Sequence, residues 1–350
     1  MKTSAAVLDK INKPLTIEEL AIPQLKEGQV LVDMAYSGLC RTQLNEIHGS
    51  KGRDRYLPHT LGHEGAGVVR EVGPRVEKVN VGDHVVLTWI KGRGADVSAT
   101  LYERRDGTRV NSGAISTLMT LTVASENRLV KIPATMPLRE ASLLGCAIPT
   151  GAGIVRNTVK MVPGSSVAIF GAGGIGLSAL LMCKAARART IIAVDVYGRK
   201  LDQAKALGAT HTIHVGQQDV LSTVRSLTND RGVDYAIESA GTRQSMEIAF
   251  QSVRDQGGLC ILAGNLPAGH QISIDPFDLI KGKRIVGTWG GETQPDVEIP
   301  QYVDMYLSGN FDIGALITHE YSLQEVNHAF DALEQGKAGR ILVNMTAERG

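Results

Sequence analysis

The chain has 350 residues, more than a single hydrophobic core usually organises, so we expect two domains. Its formal net charge is +1 and it has no lysine- or arginine-rich block, which argues against a nucleic acid or an anionic membrane as partner. It also has no apolar stretch of about eighteen residues and no signal-peptide pattern at its N-terminus. We therefore expect a soluble, cytoplasmic protein.

The first 147 residues are typical of a β-rich domain. Short strand-like runs occur at 15–19, 29–36 and 65–73, and glycine and proline separate them. Glycines such as Gly67 and Gly73 would allow the bends that barrel corners need. This spacing predicts a partly open β-barrel.

A second pattern begins near residue 148 and has its clearest element between residues 166 and 195. Ser166–Phe170 predicts a buried strand, the turn Gly171-Ala-Gly-Gly-Ile-Gly176 follows it, and Leu177–Ala185 continues as a helix. A further buried strand, Thr190–Asp195, ends in an acid nineteen residues after the last glycine. Strand, turn, helix and acid together predict a dinucleotide-binding βαβ unit.

Each residue of this turn has a physical role in binding a dinucleotide. Gly171 permits the turn, Gly173 lets the backbone approach a pyrophosphate, and Gly176 lets helix and strand pack closely. The helix N-terminus at Gly174 and Ile175 offers free N–H groups to phosphate. Asp195 would accept hydrogen bonds from ribose hydroxyls and repel a 2′-phosphate, which favours NAD over NADP, although Arg199 and Lys200 lie nearby in sequence.

Strands and helices continue to alternate towards the C-terminus. The predicted elements are strands at 233–238, 258–263 and 284–288 and helices at 245–253, 299–308 and 323–335, followed by a last strand at 339–345. We assign residues 148–291 to a Rossmann-type, doubly wound parallel sheet. We place 292–350 back on the first domain.

The four cysteines are too few and too dispersed for a disulfide framework, which leaves reduced thiols or metal ligands. Cys40 and Cys146, taken with His63 in Leu-Gly-His-Glu-Gly, make a Cys₂His set. With water in the fourth position, such a set is an open catalytic zinc site. On residue type alone, small buried cysteines and a structural histidine are the more common explanation.

The order of several motifs resembles the zinc-dependent alcohol dehydrogenases of the medium-chain dehydrogenase/reductase superfamily. These are Gly38-Leu-Cys-Arg-Thr42, Leu61-Gly-His-Glu-Gly-Ala-Gly-Val-Val69, Val81-Gly-Asp-His-Val85, Gly145-Cys-Ala-Ile-Pro-Thr-Gly151 and the glycine-rich turn. The resemblance runs nearly end to end. It implies a GroES-like catalytic domain beside the Rossmann domain and hydride transfer between an alcohol and NAD.

The resemblance also implies roles for individual residues. At the metal, it implies that Cys40, His63 and Cys146 bind zinc and that the Glu64 carboxylate lies behind the metal and binds it occasionally. At the substrate, it implies that Thr42 hydrogen-bonds the alcohol. Those implied at the cofactor are pyrophosphate binding by Arg41 and Arg340, packing on the nicotinamide by Thr150 and Ile175, and a basic residue near the ribose at Lys200.

Three departures from the family pattern affect these expectations, and one of them is Gln43 in place of an acid that often supports the zinc histidine. No cysteine lies between Cys40 and Cys146, so we expect one catalytic zinc and no structural zinc, with 91–116 as a charged loop or a hairpin turning at 105–108. Asn45 replaces a relay histidine, which leaves water or His48 to carry the proton, although His48 is also read as an ordinary surface histidine. Trp89 is expected to narrow the substrate pocket, or else to be a core residue.

Two alternatives remain at this stage: a zinc-free quinone or enone reductase on the same fold, and a non-catalytic nucleotide-binding protein. The intact Cys40, Thr42, His63 and Cys146 count against both. We expect a small primary or secondary alcohol as substrate, and a sugar, polyol or cyclitol derivative as the second choice. The family implies a homodimer or homotetramer, and the outer strand near Arg284 is the expected contact.

Overall fold

The computed structural model describes residues 1–348, which form two compact units. The first contains residues 1–146, 294–309 and the chain from 317 onward, and the second contains 147–293 and 310–316. Residues 310–316, which the sequence pattern places in the C-terminal tail, thus belong to the second unit. Among the described residues, no helix has the length and apolar character needed to cross a bilayer.

The strands of the first unit are β1 (Lys2–Leu8), β2 (Thr16–Ala21), β3 (Gln29–Gly38), β4 (His59–Thr60), β5 (Glu64–Val72), β6 (His84–Thr88), β7 (Leu101–Glu103), β8 (Arg109–Asn111), β9 (Leu121–Ser125) and β10 (Leu129–Ile132). Those of the second are β11 (Ser166–Phe170), β12 (Thr190–Asp195), β13 (His211–His214), β14 (Tyr235–Glu238), β15 (Leu259–Leu262) and β16 (Arg284–Gly287). The chain then returns to the first unit with β17 (Ile317–Ser322) and β18 (Arg340–Asn344).

The α-helices are α1 (Arg41–Ile47), α2 (Leu138–Ala141), α3 (Ala147–Gly153), α4 (Gly174–Ala185), α5 (Gly198–Leu207), α6 (Val220–Ser226), α7 (Arg243–Ser252), α8 (Pro276–Ile280), α9 (Pro295–Leu307) and α10 (Val326–Glu334). A short π-helical segment, Ile154–Thr158, continues α3. The predicted helices at 299–308 and 323–335 correspond to α9 and α10.

Two β-structures build the first unit. A small closed barrel is formed by strands β1, β2, β7, β8 and β4. The contact that closes it is short, because β4 has two residues and pairs with β8 at one residue pair. A seven-stranded sheet runs β10-β6-β5-β3-β18-β17, with β9 also paired to β3. Val326 and Phe330 of α10 and Ile341 of β18 pack into the same core as Val32 and Leu87. The C-terminal segment therefore completes the first unit's core.

The charged segment at 91–116 contains a hairpin, one of the two forms expected from sequence. β7 and β8 pair antiparallel, and Asp106 accepts the backbone N–H of Thr108 within the connecting turn. Arg104 binds two carboxylates of the neighbouring β1–β2 region, Asp9 at 2.7 Å and Glu18 at 2.7 Å. These ion pairs attach the hairpin to its own unit, so much of the segment's charge is used structurally.

The second unit is organised by a six-stranded, fully parallel sheet. Its order is β13-β12-β11-β14-β15-β16, the doubly wound arrangement of two mononucleotide-binding halves. The strand order reverses between β11 and β14, both buried apolar strands. Ligands of such sheets bind at the carboxyl ends of the strands beside this reversal, which is where β11 leads into the glycine-rich turn.

Candidate metal centre and cofactor turn

The structure brings the three predicted zinc ligands together. Cys40 precedes α1, His63 precedes β5, and Cys146 ends the first unit, yet their ligand atoms all lie within 4.8 Å of one another. Ligand atoms around a tetrahedral zinc with bonds of about 2.0–2.3 Å lie about 3.3–3.8 Å apart. Small side-chain movements therefore fit this group to one zinc ion, and thiolate and imidazole are donors that zinc prefers.

The pKa of Cys40 in this cluster is shifted in the opposite direction from the pKa of Cys183 and Cys260, which lie outside it. The pKa of the Cys40 thiol lies well below its usual value because of its hydrogen bond with Cys146 and the nearby His63 and Arg340, although burial opposes the shift. Burial instead raises the pKa of Cys183 and Cys260 well above the usual value. Metal binding needs a thiolate, so Cys40 suits it better than Cys183 or Cys260.

Polar groups around the ligands hold them in position. The Gln43 side-chain oxygen accepts the backbone N–H of Cys40 at 2.6 Å, and Gln43 is fully buried. Glu64 lies outside the ligand group itself, and its carboxylate forms a buried ion pair with Arg340. Arg340, predicted to bind pyrophosphate, thus contacts the carboxylate that follows His63 in sequence.

Two glycines beside the ligands are required by close packing. A Cβ on Gly38 would lie 2.5 Å from the Glu64 Oε1 atom. A Cβ on Gly145 would lie 2.7 Å from the Glu64 Cβ and would overlap the Leu87 carbonyl oxygen. Glycine at these positions therefore lets the segments that carry Cys40 and Cys146 pack directly against Glu64.

A cavity of about 370 Å³ in the first unit includes His63 in its wall. Asn45 of α1 also lines it, together with the segment from Lys51 to Tyr56 that precedes β4. A cavity of this size accommodates a small-molecule substrate, and His63 connects it to the metal centre. The sequence pattern did not single out this segment; its signal is the charged run Arg53-Asp-Arg-Tyr56 shortly before Leu-Gly-His-Glu.

Other predicted site residues lie outside the wall of this cavity. Thr42 and Arg41 are in the first turn of α1, Thr42 half-buried and Arg41 exposed. His48 lies 3.6 Å from a carboxylate oxygen of Glu334, with 38% of its side chain exposed. Trp89 is half-buried just after β6. Their roles in substrate binding and proton transfer stay predictions.

The glycine-rich turn has the backbone that the sequence predicts. Gly171 has φ +91°, a conformation that favours glycine, and a Cβ there would meet Ala240 after β14 at 2.8 Å. A Cβ on Gly176 would overlap the Gly171 carbonyl oxygen, whereas one on Gly173 would meet nothing within 4 Å. The turn therefore closes tightly around Gly176 and leaves open space at Gly173, next to the N-terminus of α4 at Gly174 and Ile175.

Asp195 supports this turn from the end of β12. Its carboxylate accepts the backbone N–H of Ala172 at 2.7 Å and that of Tyr197 at 3.0 Å. A carboxylate has about four acceptor sites, so capacity remains for ribose hydroxyls. The Lys200 ammonium lies 5.1 Å from the centre of the Tyr197 ring, and Thr150 is buried in α3.

The fold and the site together define a zinc-binding dehydrogenase. Residues 26–134 match the alcohol dehydrogenase GroES-like domain, and residues 174–308 match the zinc-binding dehydrogenase family. The chain belongs to the zinc-dependent alcohol dehydrogenases of the medium-chain superfamily, as the order of its motifs predicts. It is accordingly an oxidoreductase that acts on alcohols.

Several relatives match over almost the whole chain. An S-(hydroxymethyl)glutathione dehydrogenase of Synechocystis is 32% identical over 98% of this chain and all of its own length, and one of Escherichia coli is 33% identical over the same shares. The structure of an alcohol dehydrogenase zinc-binding domain protein from Burkholderia ambifaria has a TM-score of 0.91 at 33% identity, covering 99% of both chains. Benzyl alcohol dehydrogenase of Acinetobacter calcoaceticus has a TM-score of 0.89 at 30% identity, with the same coverage.

Proposed function

We propose that this enzyme uses one zinc ion and NAD to interconvert a small alcohol and its carbonyl compound. The observation that carries the proposal is the cluster of Cys40, His63 and Cys146. Its member His63 also lines a cavity large enough for a small-molecule substrate. A zinc bound there would act as a Lewis acid on the alcohol oxygen, which favours loss of the hydroxyl proton near neutral pH.

The chain's own residues orient the reactants and handle the proton. Thr42, two residues after the Cys40 ligand, is the proposed hydrogen-bond partner of the substrate hydroxyl. Gln43 holds the Cys40 backbone, and the pair of Glu64 with Arg340 supports the segment behind the ligands. A bound nicotinamide would supply the hydride acceptor, and the protein would have to hold the alcohol carbon close to it in a dry site.

Metal analysis combined with an activity assay tests the zinc proposal. The parent protein should hold about one zinc per chain and reduce NAD with benzyl alcohol or a small aliphatic alcohol. Cys40→Ser should lose zinc and activity together, because a hydroxyl is a poor replacement for a thiolate ligand. Cys183→Ser is the matched control, since Cys183 is a buried thiol of the second unit. Full activity in a zinc-free parent would overturn the zinc proposal.

The substrate panel should also separate the two classes of alcohol expected from sequence. Polyols and cyclitols form one arm, and benzyl alcohol and S-(hydroxymethyl)glutathione, substrates named for relatives, form the other. We place simple alcohols first because Arg104, in the charged segment at 91–116, pairs with carboxylates of its own unit. The charge of this segment is therefore a weaker argument for a polar substrate. A higher kcat/KM for polyols than for the other arm would reverse this order.

We propose NAD as the preferred cofactor, and Asp195 carries this preference. The residue is 8% exposed and its carboxylate lies beside the glycine-rich turn, where a 2′-phosphate would meet a negative charge. Asp195→Asn keeps the size and an acceptor oxygen but removes the charge. The ratio of kcat/KM for NAD to that for NADP should then fall about tenfold, and an unchanged ratio would contradict the proposed role.

We propose that β16, the outer strand of the six-stranded sheet, pairs with a second copy of the chain. Ile280 is 76% exposed and Trp289 77% exposed near this edge, so burial against a copy would remove apolar surface from water. Light scattering on the protein as it elutes from a size-exclusion column should give the mass of a dimer or tetramer. Ile280→Asp should reduce its mass, whereas Ile11→Asp, at an exposed apolar site of the first unit, should not.

A further inference from the structure

The segment from Lys51 to Tyr56 gives the cavity beside His63 a positive wall. It contributes Lys51, Arg53 and Arg55, and the acids that share the lining are Glu46 and Asp54. Both acids are already engaged: Glu46 binds Lys51 at 2.7 Å, and Asp54 binds His59 at 2.7 Å. Arg53 and Arg55 are the cations of this wall without an ion pair among the described residues.

Asp54 holds the segment in place between these two arginines. One carboxylate oxygen accepts the backbone N–H of Tyr56 at 2.8 Å, and the other contacts the His59 Nε2 atom. His59 is buried, and its Nδ1 atom lies 3.0 Å from the Thr60 carbonyl oxygen. The Asp54 carboxylate is thus hydrogen-bonded within its own segment and to His59.

We propose that Arg53 and Arg55 bind an anionic group of the substrate, a carboxylate or a phosphate, while its alcohol carbon is held beside His63. A guanidinium presents a planar set of N–H donors that matches both of these oxyanions. This inference rests on the proposed function, because it names the class of alcohol that the same site accepts. Arg53 and Arg55 are then specificity-determining residues of the alcohol-binding cavity.

Matched substrates with the same reacting group test the inference. Benzyl alcohol is the neutral member, and 4-(hydroxymethyl)benzoate and 4-(hydroxymethyl)phenyl phosphate carry the two anions. The parent enzyme should prefer at least one anionic member by about tenfold or more in kcat/KM, mainly through KM, because hydrogen bonds to a charged group are stronger than those between neutral groups. The preferred member identifies the anion, and the preference should shrink at high salt.

Arginine variants connect this preference to the proposed residues. Arg53→Gln and Arg55→Gln should each lower the ratio of kcat/KM for the preferred anion to kcat/KM for benzyl alcohol about tenfold. Arg75→Gln is the control, since Arg75 is 79% exposed on the same unit and lies outside the cavity wall. Calorimetric titration of each variant with 4-(hydroxymethyl)benzoate and with the phosphate measures binding separately from turnover.

The outcomes distinguish this inference from the proposed function beneath it. Oxidation of benzyl alcohol with no preference for either anion overturns the anion site alone. An anion preference that survives in the Arg53→Gln, Arg55→Gln double variant also overturns it, because the charge must then come from elsewhere. Absence of NAD reduction with every alcohol in the zinc-loaded parent overturns the proposed function itself.

Discussion

The buried ion pair of Glu64 and Arg340 allows a quantitative prediction about the support of the metal centre. The Glu64 side chain is 0% exposed and that of Arg340 5%, so Arg340→Met removes the positive charge of this pair from a site closed to water. Removing one partner of a buried pair costs about 3–5 kcal/mol, since the remaining charge has lost its compensation. We therefore expect Arg340→Met to lower the free energy of unfolding of the first unit by that amount.

An exposed pair of the same residue types provides the control. Arg75 pairs with Glu27, and their side chains are 79% and 56% exposed, so solvent screens both charges. Removal of such a pair costs about 0–1 kcal/mol, which is the loss expected for Arg75→Met. Adding Glu64→Gln to Arg340→Met should recover much of the lost stability, because the double variant buries no unpaired charge.

The placement of the two tryptophans allows the assay to follow one unit. Trp89 lies in the first unit and Trp289 in the second, where it is 77% exposed. In a Trp289→Phe background, urea unfolding followed by tryptophan fluorescence at pH 7 reports the first unit, with a chelator present to exclude metal stabilisation. A loss for Arg340→Met no larger than that for Arg75→Met would refute the reasoning.

Two further predictions concern the same unit. Gly145→Ala should lower the free energy of unfolding by about 1–3 kcal/mol and also lower the zinc content, because its Cβ would overlap the Leu87 carbonyl oxygen. Gly198→Ala is the control and should change neither quantity, because a Cβ there meets nothing within 4 Å. Burial raises the pKa of Glu126, but hydrogen bonds from three backbone N–H groups outweigh this effect. The net pKa therefore lies below the usual 4.5. Glu126→Gln should therefore cost about 1.5–3 kcal/mol at pH 7, measured by urea unfolding. That difference should shrink as the pH falls below about 4.5 through the folded pKa, and a constant difference across this range would contradict it.

Local pattern was enough to predict much of the cofactor-binding unit. Ser166–Phe170 and Thr190–Asp195 are strands with the predicted bounds, and the helix after the turn begins at Gly174. These elements are determined locally because buried parallel strands are continuous apolar runs and the turn requires glycine at fixed positions. The Cys40, His63 and Cys146 set was recognised by motif resemblance rather than from spacing.

Features that depend on distant residues were decided by the tertiary structure. The pairing of Glu64 with Arg340 joins positions far apart in sequence, and no periodicity relates them. Placement of Arg53 and Arg55 in the same cavity wall as His63 likewise depends on how the segment before β4 is held by Asp54. Local sequence thus determined which strands, turn and ligand types the chain contains, whereas long-range packing decided which charges are buried together and which face the cavity, because burial and pairing are properties of the folded neighbourhood.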